Sequence, residues 1–158
     1  MSRRSALGLV TAVLAAGAMI AGPIAAANAS DTTIKLALLH AAPGLHRSDL
    51  RLRAAFARYA TTHRAAPVVR AIRAQDRDIS RLQTKVRRSS ASTTDGSRAR
   101  RDIVAGLGYV LRSNYGINGH LRRQGAAGLS PSQLRTAERL ARHGDALYRR
   151  GIKLLLHS

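Results

Sequence analysis

The 158-residue chain carries 27 Lys and Arg against 8 Asp and Glu, a formal charge of +19, and no cysteine. Disulfides, thiolate metal sites and a lipid-bearing cysteine are therefore excluded, and a chain this basic repels itself and attracts polyanions. With 3% aromatic residues, no Trp and Phe56 as the single Phe, packing falls to Leu, Ile, Val and Ala, which suits helix-on-helix contact better than a sandwich or barrel.

In chain order the first element is an export signal. Residues 1–5 are basic through Arg3 and Arg4, and residues 7–20 form an uncharged apolar run. Gly22-Pro23 breaks a helix and Ala27-Asn28-Ala29 supplies a small-x-small site. The pattern predicts a cleaved signal peptide over residues 1–29, cut between Ala29 and Ser30. The uncharged stretch from Arg4 to Asp31 is also long enough for an uncleaved anchor, against which the Gly-Pro break and the A-x-A site argue. Arg3-Arg4 fits an ordinary signal or a twin-arginine one, the latter without the aromatic residue usual where Ala6 stands. Losing Arg3 and Arg4 takes the charge from +19 to +17 for a single basic domain over 30–158.

Within that domain, residues 31–42 read as a short N-terminal helix capped by Asp31 and ended by Pro43-Gly44. Ser48 opens a second helix to about residue 64, carrying Leu52, Phe56 and Tyr59. Pro67 breaks or kinks the chain; a kink would make 48–88 one long bent helix. From 67 to 88, Val68, Ile72, Gln75, Ile79, Leu82 and Val86 recur at spacings of three and four and share a face. Arg70, Arg73, Arg77, Arg81, Lys85 and Arg88 lie opposite. Residues 89–97 form a flexible Ser/Thr-rich loop by composition.

Ile103, Leu107, Val110, Asn114, Ile117 and Leu121 repeat the spacing, with Asn114 a polar seam residue of the kind that sets register. Gly106, Gly108, Gly116 and Gly119 weaken this helix, and a break near 116–119 is expected. The last helix starts with Ser130, Pro131 and Gln133, a capping box, flanked by Leu129 and Leu134 as a staple. Along it Ala137, Leu140, Gly144, Leu147, Gly151 and Leu154 alternate small and large, so that a neighbouring backbone comes close at every seventh residue. Arg135, Arg139, Arg142, Arg149, Arg150 and Lys153 take the far side. The expected fold is all-α: an antiparallel bundle of three or four main helices plus a short N-terminal helix.

Chemistry is hard to place on this chain. The carboxylates are Asp31, Asp49, Asp76, Asp78, Asp95, Asp102, Glu138 and Asp145. Asp76 and Asp78 are too close in sequence to flank a bond as a glycosidase pair, and they read as surface charges paired within their helix. His40, His46, His63, His120, His143 and His157 show no ligand spacing, and no G-x-S-x-G, S-x-x-K or phosphate-cradling loop is present. Tyr109, Asn114 and Tyr115 read as packing or a polar cluster. No catalytic, metal or cofactor residue is assigned, and a non-enzyme is expected.

The expectation for function is a secreted or envelope-retained basic module that binds polyanions through the two cationic rows. Partners of that chemistry are anionic wall polymers, anionic lipid headgroups or extracellular nucleic acid, and the bland alternative is a solvated face that keeps the domain soluble. A protein-binding or self-associating helical module is the alternative reading. A membrane-active protein and an enzyme rank below both.

Overall fold

The computed structural model describes residues 31–124 and 129–157; the signal peptide expected over 1–29 lies outside them. Four helices follow one another: α1 (Thr32–Thr62), α2 (Ala65–Arg88), α3 (Thr94–Gln124) and α4 (Pro131–His157), with no strand among the described residues. Every position of the two long seams read from the periodicity is buried, from Val68 to Val86 on α2 and from Ile103 to Leu121 on α3.

These seams meet in two apolar clusters stacked along the bundle. One joins Ile34 and Leu38 to Ile79, Leu82 and Val86, to Ala99, Ile103 and Leu107, and to Tyr148 and Leu155. The other joins Leu52 and Ala55 to Val68 and Ile72, to Ile117 and Leu121, and to Leu129, Ala137 and Ala141. The start of α1 thus lies with the end of α2, the start of α3 and the end of α4, so successive helices are antiparallel. Each fully buried Ile or Leu stabilises this arrangement by about 1.5–3 kcal/mol. Between the clusters each of the first three helices buries polar side chains: Ser48 and Asp49, Gln75, and Ser113 and Asn114. Asn114 donates its amide to Gln75 Oε1 at 3.0 Å and to Asp76 Oδ1 at 2.8 Å. A shift of α2 along α3 by one turn would break both bonds.

Four boundaries differ from expectation. The separate short helix over 31–42 does not exist, because α1 runs on through Pro43 and Gly44 to Thr62. Pro43 deprives the Leu39 carbonyl of its partner, at a cost of about 3 kcal/mol. Leu39 and Pro43 both face solvent, where water can satisfy that carbonyl, while Ile34, Leu38, Leu52 and Ala55 are anchored on either side. The break expected at Pro67 falls earlier. His63 adopts a left-handed conformation (φ 52°) and donates its N–H to Tyr59 O at 2.9 Å, which ends α1. Pro67 becomes the third residue of α2, where no intrahelical acceptor is lost, and its ring forbids extending α2 back over His63. There is no single helix over 48–88. Finally, α3 continues past Gly116 and Gly119 without a break, and the 89–97 loop shortens, since α3 begins at Thr94.

The start of α4 is as read. Ser130 N–H donates to Gln133 Oε1 at 2.9 Å and Gln133 N–H to Ser130 Oγ at 3.3 Å, and Leu129 and Leu134 pack in one cluster. Its buried seam is Ala137, Ala141, Gly144, Tyr148, Gly151 and Leu155; Leu140, Leu147 and Leu154 are half-buried flanks. The seam centres on the small residues because α3 presses against them. A Cβ on Gly144 would stand 2.6 Å from Gly106 O, and one on Gly106 2.6 Å from Gly144 O. On Gly151 it would stand 2.9 Å from Ala99 O, and Ser113 Oγ donates to Ala137 O at 2.8 Å. Ala99, Gly106 and Ser113, seven apart on α3, therefore face Gly151, Gly144 and Ala137, seven apart on α4.

Asp31 does not cap its own helix. Its Oδ1 accepts the Ser92 N–H at 2.7 Å and its Oδ2 the Thr93 hydroxyl at 2.5 Å, while its N–H donates to Ser92 Oγ at 3.1 Å. Thr93 Oγ1 in turn accepts the Gly96 N–H at 2.8 Å, capping α3. A Cβ on Gly96 would collide with the Asp31 carboxylate. Burial pushes the Asp31 pKa up, but the hydrogen bonds from Thr93 and Ser92 outweigh it and hold the carboxyl below its ordinary value.

Gly144→Ala is expected to lower unfolding free energy by about 1–3 kcal/mol through overpacking. Gly116→Ala, where a Cβ meets nothing within 4 Å, should raise it by up to about 1 kcal/mol. Urea titrations followed by circular dichroism compare the two, and equal effects would contradict the close approach. Asp31→Asn should cost about 1–3 kcal/mol at neutral pH, since an NH₂ then faces a donor. Because the folded pKa is lowered, the wild-type advantage is present above the unfolded value and is lost as pH falls through the folded one. A gap between the two melting curves that persists unchanged in acid would refute this assignment.

Candidate polyanion-binding surface

Helical periodicity puts Arg70, Arg73, Arg77, Arg81, Lys85 and Arg88 on the side of α2 away from its seam, and all six are exposed. Among the described residues none of them has a carboxylate within 4.0 Å. Asp76 and Asp78 were expected to pair within this helix, but α2 contains no ion pair of its own. Asp76 turns towards the seam and accepts from Asn114, which leaves the neighbouring arginines without it. The row spans about 27 Å at 1.5 Å per residue.

The α4 row is also exposed at Arg135, Arg139, Arg142, Arg149, Arg150 and Lys153, but half of it is neutralised. Arg142 pairs with Glu138, Arg149 with Asp145 at 2.8 Å, and Arg150 holds Asp102 of α3 through two bonds of 2.6 and 2.8 Å. The fold does not bring the rows together, since α4 packs chiefly against α3, whereas α2 packs against α1 and α3 and hardly touches α4. Arg47, which falls between the helices expected over 31–42 and 48–64, proves to be helical and exposed. It lines a groove between α1 and α2 with Arg81 and Lys85. The 43, 47, 50 spacing was the available signal, hidden by the Pro-Gly pair.

The remaining polar groups are dispersed. Tyr109 stacks edge-on with His143 at 4.4 Å and under Arg112 at 4.2 Å. Tyr115 is exposed and Asn114 buried, so the three do not form one cluster. Among the described residues no three His, Cys, Asp or Glu side chains gather to hold a metal ion. A cavity of about 210 Å³ between α3 and α4, lined by Ile117, Leu129, Ala137 and Leu140 with His120 and Arg112, is smaller than the roughly 300 Å³ at which small-molecule sites begin. Burial raises the pKa of Asp49, against Arg53 at 3.1 Å and His46, and that of Asp76, against Asn114. Burial likewise pushes up the Tyr148 phenol, whose hydroxyl has no hydrogen-bond partner.

Comparison with known protein families, with curated proteins and with solved structures finds no match to this chain. What can be said of function therefore rests on the surface itself.

Asp76→Asn retains the oxygen that accepts from Asn114 and removes a charge that burial disfavours. Since the folded pKa of Asp76 is raised, the stability it contributes in its protonated form is lost as pH rises through that value. The variant should melt higher than wild type at about pH 7 and equally at about pH 3, where both carry no charge there. Melting curves that differ most in acid would overturn this.

Proposed function

We propose that this protein is an exported, non-enzymatic helical bundle that binds polyanions of the cell envelope through the outer face of α2. The observation that carries the reading is the difference in pairing between the two cationic rows. Among the described residues all six α2 cations lack a carboxylate partner, whereas three of the six on α4 have one. An unpaired row draws its counter-charge from solution, and displacing those ions with a polymer is entropically favourable. The α2 sequence contains no aromatic residue, so bases have nothing to stack on. That favours phosphate-bearing wall polymers over nucleic acid. Export, as expected from residues 1–29, would place the protein among them.

A protein-binding or self-associating module is the second reading. It is supported by leucines left exposed on the outer side of α1.

The exported protein should be retained on envelope fragments and on poly(glycerol phosphate) and released as salt rises. Replacing Arg70, Arg73 and Arg77 together by Ser should weaken retention at least tenfold and reduce the slope of log affinity against log salt by roughly two, at about 0.7 per cation on a single chain. Replacing Arg142, Arg149 and Arg150 should do less. Indifference to salt, or equal losses from the two triple variants, would sink the assignment to α2.

A further inference from the structure

The outer edge of α1 combines an apolar ridge with a cationic groove. Leu36, Leu39 and Leu50 are 45%, 40% and 48% exposed. With the exposed Pro43 they fall within about 60° of one another at 100° per residue, forming a ridge about 21 Å long. Beside it a groove of about 740 Å³ runs between α1 and α2, with His40, Arg47, Arg81 and Lys85 on its walls and Asp78 as the one carboxylate. Among the described residues Arg47, Arg81 and Lys85 have no ion-pair partner. Pro43 belongs to both features, and Gly44 beside it keeps the floor open, since a Cβ there would meet nothing within 4 Å.

Few partners satisfy both at once. A soluble anionic polymer neutralises the groove and leaves the leucines in water. A second copy of this chain covers the leucines and sets one cationic groove near another, which repels. A phospholipid surface offers phosphates at the level of the groove and an acyl boundary at the level of the ridge.

We propose that this edge of α1 docks on an anionic phospholipid surface, with Leu36, Leu39 and Leu50 entering the acyl boundary and Arg47, Arg81 and Lys85 holding headgroup phosphates. The helix lies on the surface and does not cross it, because no described helix is long and apolar enough to span a membrane. The docking shares Arg81 and Lys85 with the α2 row and otherwise does not depend on polymer binding.

The test is co-sedimentation of the exported protein with vesicles. Wild type should pellet with mixed phosphatidylcholine and phosphatidylglycerol and stay in solution with phosphatidylcholine alone. Leu36→Ser, Leu39→Ser and Leu50→Ser combined should weaken vesicle binding at least about tenfold while leaving retention on poly(glycerol phosphate) and the helical circular dichroism unchanged. Arg47→Ser with Lys85→Ser should weaken vesicle binding as well. Tyr115→Ser, which removes an exposed aromatic of α3, should not change it. Wild-type binding by the leucine variant overturns the proposal and leaves the polymer reading standing. So does failure of wild type to pellet, or a wild-type dimer in ultracentrifugation that the leucine variant dissolves without any effect on vesicles.

Discussion

The backbone approach of α3 to α4 is the constraint on which the other contacts depend. At Gly106 and Gly144 each helix occupies the space where the other would carry a side chain. The same register places Ala99 against Gly151 and Ser113 against Ala137. Glycines in a helix interior cost up to about 1 kcal/mol each, so neither helix is favourable on its own. They recover that cost together, through dispersion contacts between closely spaced backbones and through Tyr148 and Leu155 held in the core. α2 then leans on α3 through a seam registered by Asn114, and α1 leans chiefly on α2. Order in the bundle passes outward from the tightest pair.

What could be read from the sequence follows that hierarchy. The α2 seam was legible because six positions keep one period from Val68 to Val86 with no glycine to blur it. The capping box at Ser130 and Gln133 is a local device and reads locally. The seven-residue spacing of small residues on α4 was visible, but its counterpart Ala99, Gly106 and Ser113 was not, since Ala and Ser carry no signal until the facing helix is known. The row on α4 was accordingly read as Ala137, Leu140, Gly144, Leu147, Gly151 and Leu154; its small residues are buried, its leucines are flanks, and Ala141, Tyr148 and Leu155 were missed. α1 was misread for a different reason. Pro43-Gly44 looks like a terminator, and only tertiary anchoring on both sides makes its passage affordable. Asp31 was assigned to the nearest helix, whereas its partners lie 61 and 62 residues away. The cationic rows were legible from period alone. Their pairing was not read: the i,i+4 spacing carries the signal at Glu138–Arg142 and Asp145–Arg149, whereas Asp102–Arg150 joins two helices and leaves none.

The electrostatic economy of the molecule comes from how few carboxylates it has and how they are placed. Asp31 holds the turn before α3, Asp76 answers Asn114, and Asp102, Glu138 and Asp145 each engage an arginine on α4. Hardly any negative charge is left for the outer side of α2 or for Arg47 on α1. The basic surface is thus as much a matter of where acids are withheld as of where arginines are placed. Because α4 packs chiefly on α3 and α2 lies between α1 and α3 with hardly any contact to α4, the free row and the neutralised row behave as separate fields and not as one broad patch.

An even number of antiparallel helices has a topological consequence here. Ile34, near the start of α1, and Leu155, near the end of α4, belong to the same apolar cluster, so the first and last described helices begin and end on one side of the bundle. A short linker joining His157 to Asp31, with new ends opened between α3 and α4, would permute the order of the helices without changing a packed contact. A fully circular chain would retain the bundle and start from an unfolded state with less freedom to lose.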